Sequence, residues 1–254
     1  MVNCTLTNEK FILELKGYSG SKVYLMQVGN EFFVRKKGNV ARNYERLTKL
    51  YDLNYSVVKI LNYHDDILDL EYIPGLDIKN YLIQHNPKLL IKFIIDVVNK
   101  LKLSSSTNRK NYTEIYKQKI NWISNLFSFS IDNIIDVLPK YFFESDYFGD
   151  FTLENIIYNK KRGFIIIDPA TIEYDSWVFD LAKLNQDLTC KWFLRDDKTN
   201  LDTKLKIIKN SLEEEFGEFD KNLTILMLLR IYRHVGSDFK TKQFLDRQIN
   251  LLWK

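Results

Sequence analysis

Asp150, Asn155 and Asp168 are the residues of this chain whose types and spacing could do chemistry. Asp150 stands in the run Tyr147-Phe148-Gly149-Asp150-Phe151-Thr152-Leu153-Glu154-Asn155, and Asp168 ends Phe164-Ile165-Ile166-Ile167-Asp168. An acid, an amide a loop later and a short hairpin closed by a second acid meet the needs of phosphoryl transfer from a nucleotide. That reaction requires a carboxylate near the acceptor hydroxyl, oxygen ligands for magnesium, a cation on the phosphates and a flexible cover. Asp150, on a tight turn after Gly149, is placed to act as base. Asn155 offers a neutral oxygen, and a hairpin from Ile156 to Ile167 folds Asp168 back beside it as a second, charged metal ligand. Singly, Asp beside Gly and Asp before Pro are ordinary turn chemistry. The hairpin is what joins them.

The elements that must position these residues fall into two parts. In the first, the runs Lys10 to Lys16, Ser21 to Val28 and Glu31 to Lys36 read as consecutive antiparallel strands. Asn39 then caps a helix to about Leu53, with Val40, Tyr44, Leu47 and Tyr51 on one face. Two further strands follow, Ser56 to Tyr63 and Ile67 to Tyr72. Pro74-Gly75 breaks the pattern, and the rest is mainly helical: Asp77 to Gln84, Pro87 to about Leu103, Tyr112 to Phe127, Ile131 to Phe143, a helix at Asp180 and helix from about Thr203 onward. The expected fold is α+β, a five-stranded antiparallel lobe with one main helix (residues 1–73) and a larger helical lobe (residues 74–254).

The first part offers candidates for holding a nucleotide. Gly17-Tyr18-Ser19-Gly20-Ser21 sits between two strands, where small residues let backbone approach phosphate; it is equally a hairpin turn. The strand end Arg35-Lys36-Lys37 supplies the phosphate cation. Alternation puts Arg35 and Lys36 on opposite faces and does not say which face meets the nucleotide. Glu45 on the following helix could hold that cation, or pair on the surface with Lys49.

Bulk properties narrow the alternatives. The chain has 254 residues, 45% hydrophobic and 28% charged, with a net charge of +4. That is an ordinary globular composition with dispersed lysines and no nucleic-acid surface. Two cysteines make no disulfide framework, and no signal peptide or membrane span is visible, so a cytoplasmic protein without membrane or nucleic-acid partners is expected. The three histidines are scattered and support no zinc site or His-based triad. Oligomeric state is not readable.

The run Gly149 to Ile157 resembles the catalytic loop of the aminoglycoside phosphotransferase and choline kinase-like family. So do Ile167-Asp168-Pro169-Ala170 and Phe179-Asp180-Leu181-Ala182-Lys183-Leu184. The resemblance implies a protein-kinase-like, two-lobed fold and transfer of the ATP γ-phosphate to a hydroxyl of a sugar, aminocyclitol or amino alcohol. ATP (or another nucleoside triphosphate) and Mg2+ are the implied cofactors. Asp150 would be the base, Asn155 and Asp168 the magnesium ligands, and Asp180 an anchor beneath the loop. It favours Arg35 over Lys36 as the phosphate cation. The strand before Pro74-Gly75 is similar to the family's hinge, so Glu71, Tyr72 and Ile73 would lie against the adenine. The family usually has His before Gly-Asp, where this chain has Phe148. That departure supports a rival reading, a weak or inactive pseudokinase serving as a nucleotide-binding or scaffold module.

Overall fold

The structure, a computed structural model, describes residues 9–15, 21–120 and 132–254. Strands β1 (Glu9–Leu15), β2 (Lys22–Val28), β3 (Glu31–Lys37), β4 (Ile60–His64) and β5 (Ile67–Glu71) form one antiparallel sheet in the order β1-β2-β3-β5-β4. Helix α1 (Ala41–Asp52) connects β3 to β4. The expected five-stranded sheet with one main helix is what forms.

Helix α1 differs from its sequence reading in a useful way. Its first turn is preceded by Val40, which makes no side-chain cap, and not by Asn39. Its buried face is Asn43, Arg46, Leu47 and Leu50, whereas Tyr51 is 54% exposed. Two polar residues occupy the inward stripe, so apolar periodicity pointed about one residue off. Asn43 faces inward onto the Asp168 side chain and the Pro169 carbonyl, and Arg46 onto the Tyr147 ring.

Past Ile73 the chain makes β6 (Leu76–Asp77) and helices α2 (Ile78–Gln84) and α3 (Lys88–Leu103). Asp77 caps α2 by accepting from the Asn80 N–H at 2.7 Å. Strand β7 (Arg109–Asn111) and helix α4 (Thr113–Ile120) follow, then α5 (Asp132–Val137) and β8 (Tyr141–Phe143). The helix expected from Ile131 to Phe143 therefore ends early. Pro139 stops it, and the aromatic run after it pairs with β7. The far half of the helix expected from Tyr112 to Phe127 lies outside the described residues.

The hairpin is β9 (Ile156–Asn159) and β10 (Gly163–Ile166), with β6 added alongside β9. Helix α6 (Trp177–Cys190) is followed by α7 (Asp202–Phe216), α8 (Lys221–Val235) and α9 (Phe239–Trp253), so the late helical stretch is three helices broken at Gly217 and Gly236.

One apolar core runs through both halves, from Leu47, Leu50 and Leu68 to Phe148, Phe151, Ile165 and Leu212. A second, aromatic core holds Tyr112, Tyr116, Tyr174 and Phe179 against α8 and α9. Backbone bonds stitch the sheet region to the hairpin: Val58 N–H donates to Ile166 C=O at 3.0 Å, and Ile166 N–H donates to Ser56 C=O at 2.8 Å. Gly75 packs so closely on β9 that an added Cβ would lie 2.4 Å from the Tyr158 carbonyl oxygen. No helix among the described residues is long and apolar enough to cross a membrane.

Candidate active site

The hairpin register pairs Ile156 with Ile166. One step further out, Ile167 N–H donates to the Asn155 carbonyl at 2.8 Å. Asp168 therefore leaves β10 beside Asn155, as sequence geometry expected. It does so at φ +58°, a left-handed conformation uncommon for residues other than glycine. Such a residue persists where surrounding contacts over-determine it, and a cleft acid is a typical place.

Those contacts come from the sheet and from α1. Lys36 Nζ lies 2.5 Å from Asp168 Oδ1, and Asn43 Nδ2 donates to the same oxygen at 2.7 Å and to the Pro169 carbonyl at 2.8 Å. Strand alternation sends Arg35 to the other face of β3. There its guanidinium is held by Asp69 at 2.7 Å and by Glu9 at 2.6 Å. Of the two strand-end cations, Lys36 is the one that reaches Asp168. Both faces of a strand end carry a base here, and only the three-dimensional position of Asp168 chooses between them.

Asp150 sits on the loop between β8 and β9. Gly149, at φ +84°, is where this loop presses on the segment after Asp168; a Cβ there would fall 2.2 Å from the Ala170 carbonyl oxygen. Asp180 on α6 anchors the loop from below, accepting from the N–H groups of Phe148 at 2.6 Å and Gly149 at 2.9 Å. Asp187, two turns on, accepts from Leu153 N–H at 2.6 Å and Phe193 N–H at 3.2 Å. Burial pushes Asp180 up to about 7 and Asp187 up to about 8.

The Asp150 carboxylate is clasped on both oxygens. Lys183 Nζ lies 3.0 Å from Oδ1, and Asn155 Nδ2 donates to Oδ2 at 3.0 Å. Burial raises its pKa, but Lys183, Arg230 and Asn155 outweigh it, so Asp150 titrates below the ordinary aspartate value. Asp168 goes the other way: burial and the neighbouring Asp150 charge outweigh Lys36 and Asn43 and hold it above that value.

Several expected residues take other positions. Glu45 is exposed on α1, and Lys49 pairs with Asp146 at 2.9 Å and not with Glu45. Asn43, two residues earlier and on the buried face, contacts Asp168 instead. Glu71 turns its carboxylate to Arg162 at 2.7 Å and the Lys59 N–H at 2.8 Å. Tyr72 is exposed against Phe32, and Ile73 is buried. Ser21 is buried at the start of β2, while Gly17, Ser19 and Gly20 lie outside the described residues. Phe148 is fully buried, stacked on Phe151 with ring centroids 5.0 Å apart.

Sequence reading missed Asn43, Lys183 and Arg230. Lys183 stands three residues after Asp180, a spacing that puts both on the loop-facing side of α6; this signal was present. Nothing local marks Arg230.

Comparisons now bear on this arrangement. No family model matches the chain, and no curated protein sequence matches it. Solved structures do. Aminoglycoside phosphotransferase APH(4)-Ia superposes at a TM-score of 0.65 with 11% identity, over 97% of this chain and 94% of that one. Choline kinase from Cryptosporidium parvum Iowa II gives 0.59 at 10% identity, over 96% and 88%. Plasmodium vivax ethanolamine kinase gives 0.55 at 15%, over 100% and 85%. A thermostable APH(4)-Ia mutant, in a ternary complex with AMP-PNP and hygromycin B, gives 0.62 at 10%, over 96% and 92%. The chain has the protein-kinase-like fold. Its five-stranded sheet and helical remainder are those of small-molecule kinases, and the resemblance drawn from the Asp150 loop stands at the level of fold.

Proposed function

We propose that this protein is a magnesium-dependent phosphotransferase that moves the γ-phosphoryl group of ATP, or another nucleoside triphosphate, to a hydroxyl of a small molecule. One observation carries the reading: Asp150, Asn155, Asp168 and Lys36, from three separate segments, converge at the end of one hairpin. In the proposal residues 1–73 form the nucleotide lobe, residues 74–254 the catalytic lobe, and the hinge at Ile73–Gly75 faces the adenine.

The donor set fits magnesium. Asp168 and Asn155 offer hard oxygen atoms, and Asp168 remains under-compensated by its single lysine. Among the described residues no three His, Cys, Asp or Glu side chains cluster for a metal. The remaining ligands would come from phosphate and water, as magnesium ordinarily takes them. Bound there, the ion would balance charge on the phosphate oxygens.

The chain's own residues do the rest. Lys36 meets the phosphates, and Asn43 keeps Asp168 turned toward the cleft. Asp150, held ionised by Lys183, accepts the proton of the acceptor hydroxyl as the new P–O bond forms. Phe148 does not count against turnover in this reading. Its buried ring fills the core beneath the loop, and the support that a histidine would lend comes from Asp180 on the backbone.

The test is a thermal-shift titration followed by a turnover assay on a panel of hydroxylated metabolites. Mg-ATP is expected to raise the melting temperature, and Asp150→Asn to keep that shift while losing turnover. A wild-type protein that binds Mg-ATP yet turns over nothing on a broad panel would support the scaffold reading instead.

A further inference from the structure

Two cavities of opposite character share Arg195 and Asp196, on the loop that follows the short turn Trp192–Leu194. The first, about 350 Å³, adjoins Leu153 and Glu154 and sets four acids (Asp77, Glu154, Asp196, Asp197) against Lys79 and Arg195. The second, about 290 Å³, lies against α9 and sets Arg195, Lys240 and Arg247 against Asp196. Three cations and one acid leave it an excess of two positive charges.

These cations are held in different ways. The Arg195 side chain is only 6% exposed. Its Nη1 donates to Glu154 Oε1 at 2.7 Å and to the Trp192 carbonyl at 2.8 Å, and its guanidinium lies over the Trp192 ring at 4.1 Å. Phe244 of α9 meets the same ring edge-on, with centroids 6.0 Å apart. Lys240 reaches Asp196 at 3.0 Å. Arg247 makes no ion pair or hydrogen bond with a described residue. The acids of α9 and its cap do not serve it. Asp238 accepts from the Thr241 N–H at 3.2 Å and hydroxyl at 2.6 Å, and Asp246 accepts from the Tyr232 hydroxyl. A buried arginine, a surface lysine and an unmatched arginine thus converge from two segments on one space. Its volume is near the low end of small-molecule sites. Such a group of donors receives an anion, which the acidic cavity next door would repel.

We propose that the cavity between the Trp192–Asp196 stretch and α9 is a second ligand site, distinct from the nucleotide cleft, that takes a small molecule bearing a phosphate group. The two charges of a phosphate match the excess of two, and the half-buried Phe244 ring offers the remainder of the molecule an apolar face. The site stands whatever the reaction at Asp150. Arg195 also ties it to the catalytic loop. Glu154 immediately precedes Asn155 in the turn Leu153–Asn155, so a phosphate drawing on Arg195 weakens its hold on Glu154. Glu154 and the ligand compete for one cation, and the coupling is reciprocal.

Calorimetric titrations with glucose 6-phosphate, inorganic phosphate, glucuronate and glucose, with and without saturating Mg-AMP-PNP, test this. Glucose 6-phosphate is expected to bind best, inorganic phosphate next, and glucuronate and glucose at least about tenfold more weakly than glucose 6-phosphate. Arg247→Gln, at an exposed position, is expected to weaken glucose 6-phosphate by on the order of tenfold at unchanged melting temperature. Lys240→Gln should cost less, since Lys240 is shared with Asp196. Glu154→Gln releases Arg195 and is expected to tighten binding by roughly threefold. Lys36→Met should leave it unchanged. Binding that Mg-AMP-PNP displaces, or that Lys36→Met removes, belongs to the nucleotide cleft and overturns the second site. Binding that survives both Arg247→Gln and Lys240→Gln is loose attraction to a chain of net charge +4 and overturns it too. Glucuronate binding as tightly as glucose 6-phosphate overturns the phosphate assignment, and no binding of either phosphate probe overturns the whole. Unchanged affinity in Glu154→Gln overturns the tie to the loop. Failure of Mg-AMP-PNP itself to bind is a failure of the kinase reading, and the Arg247 comparison still decides the second site.

Discussion

Asp150 and Asp168 are the same type of residue at one site, and the Asp150 charge reaches Asp168, yet their pKa values are displaced in opposite directions. The difference lies in what each region supplies. The loop of Asp150 is served by fixed groups: two cations from the C-terminal helices, an amide on its free oxygen, and two buried aspartates fastening its backbone. Asp168 has one lysine reaching over from β3, one amide, and a neighbouring negative charge. The first acid is organised in advance and stays ionised without help. The second is short of positive charge, which is the condition for recruiting a divalent ion. Role follows environment, not residue type.

Removing each acid should break the pair apart most visibly. Asp168→Ala is expected to lower turnover by on the order of a thousandfold, the equivalent of losing several kcal/mol of metal-borne charge stabilisation. It should also abolish the magnesium dependence of nucleotide binding, read by calorimetry with and without the ion. Asp150→Asn is expected to cost about 10²- to 10⁴-fold in turnover while Mg-ATP affinity stays. If both variants lose nucleotide affinity alike, the two acids share one role and the contrast is wrong.

The lysine and arginine at the end of β3 sharpen the same contrast. Lys36→Met is expected to weaken nucleotide binding by on the order of tenfold to hundredfold and to leave the melting temperature nearly unchanged. Arg35→Met should do the reverse. It strands Glu9 and Asp69, costing about 1–3 kcal/mol of stability with little change in nucleotide affinity. Measured effects in the opposite order would restore Arg35 as the phosphate cation.

Asn43→Ala probes the amide alone. Outer contacts of this kind hold a ligand's orientation, and their loss typically costs 10- to 100-fold in metal affinity. Asn43 contacts both the Asp168 side chain and the Pro169 carbonyl, so an effect toward the lower end, about tenfold, is expected for the magnesium titration. No effect would mean that Lys36 alone orients the acid.

What the sequence revealed divides along similar lines. The hairpin was legible because its strands are β-branched runs around Asn159 to Gly163, and pairing then puts Asp168 at Asn155 by arithmetic. The five strands were legible for the same reason. The face of β3 was not, since alternation fixes two faces and only the tertiary fold says which is inward. Asn43 and Arg46 hid because polar residues on a buried stripe disturb the periodicity that reveals it. Arg46, buried with Nε and Nη1 unpartnered, lies 3.5 Å over the Tyr147 ring. Arg230 is 80 positions from Asp150, beyond the reach of any local pattern. Tyr112 and Tyr116 are core.

The two aspartates beneath the loop give the finest test of how the Asp150 side is held. Asp187 titrates near 3.9 in an unfolded chain and at about 8 in the fold, chiefly because of burial. The folded state therefore keeps a proton that the unfolded state sheds as pH rises past about 4. The associated stability is full below that pH and drains away as pH climbs through about 8. Asp187→Asn disturbs the Leu153 and Phe193 N–H contacts at every pH and carries no titration of its own. The stability of the wild type relative to this variant, from urea melts, is thus expected to fall by on the order of 2–4 kcal/mol between about pH 5 and pH 9. A relative stability that rises with pH would mean that Asp187 is already charged on its two N–H donors. The loop would then rest on a buried anion, as Asp150 rests on buried cations, and the base would be preorganised from both sides.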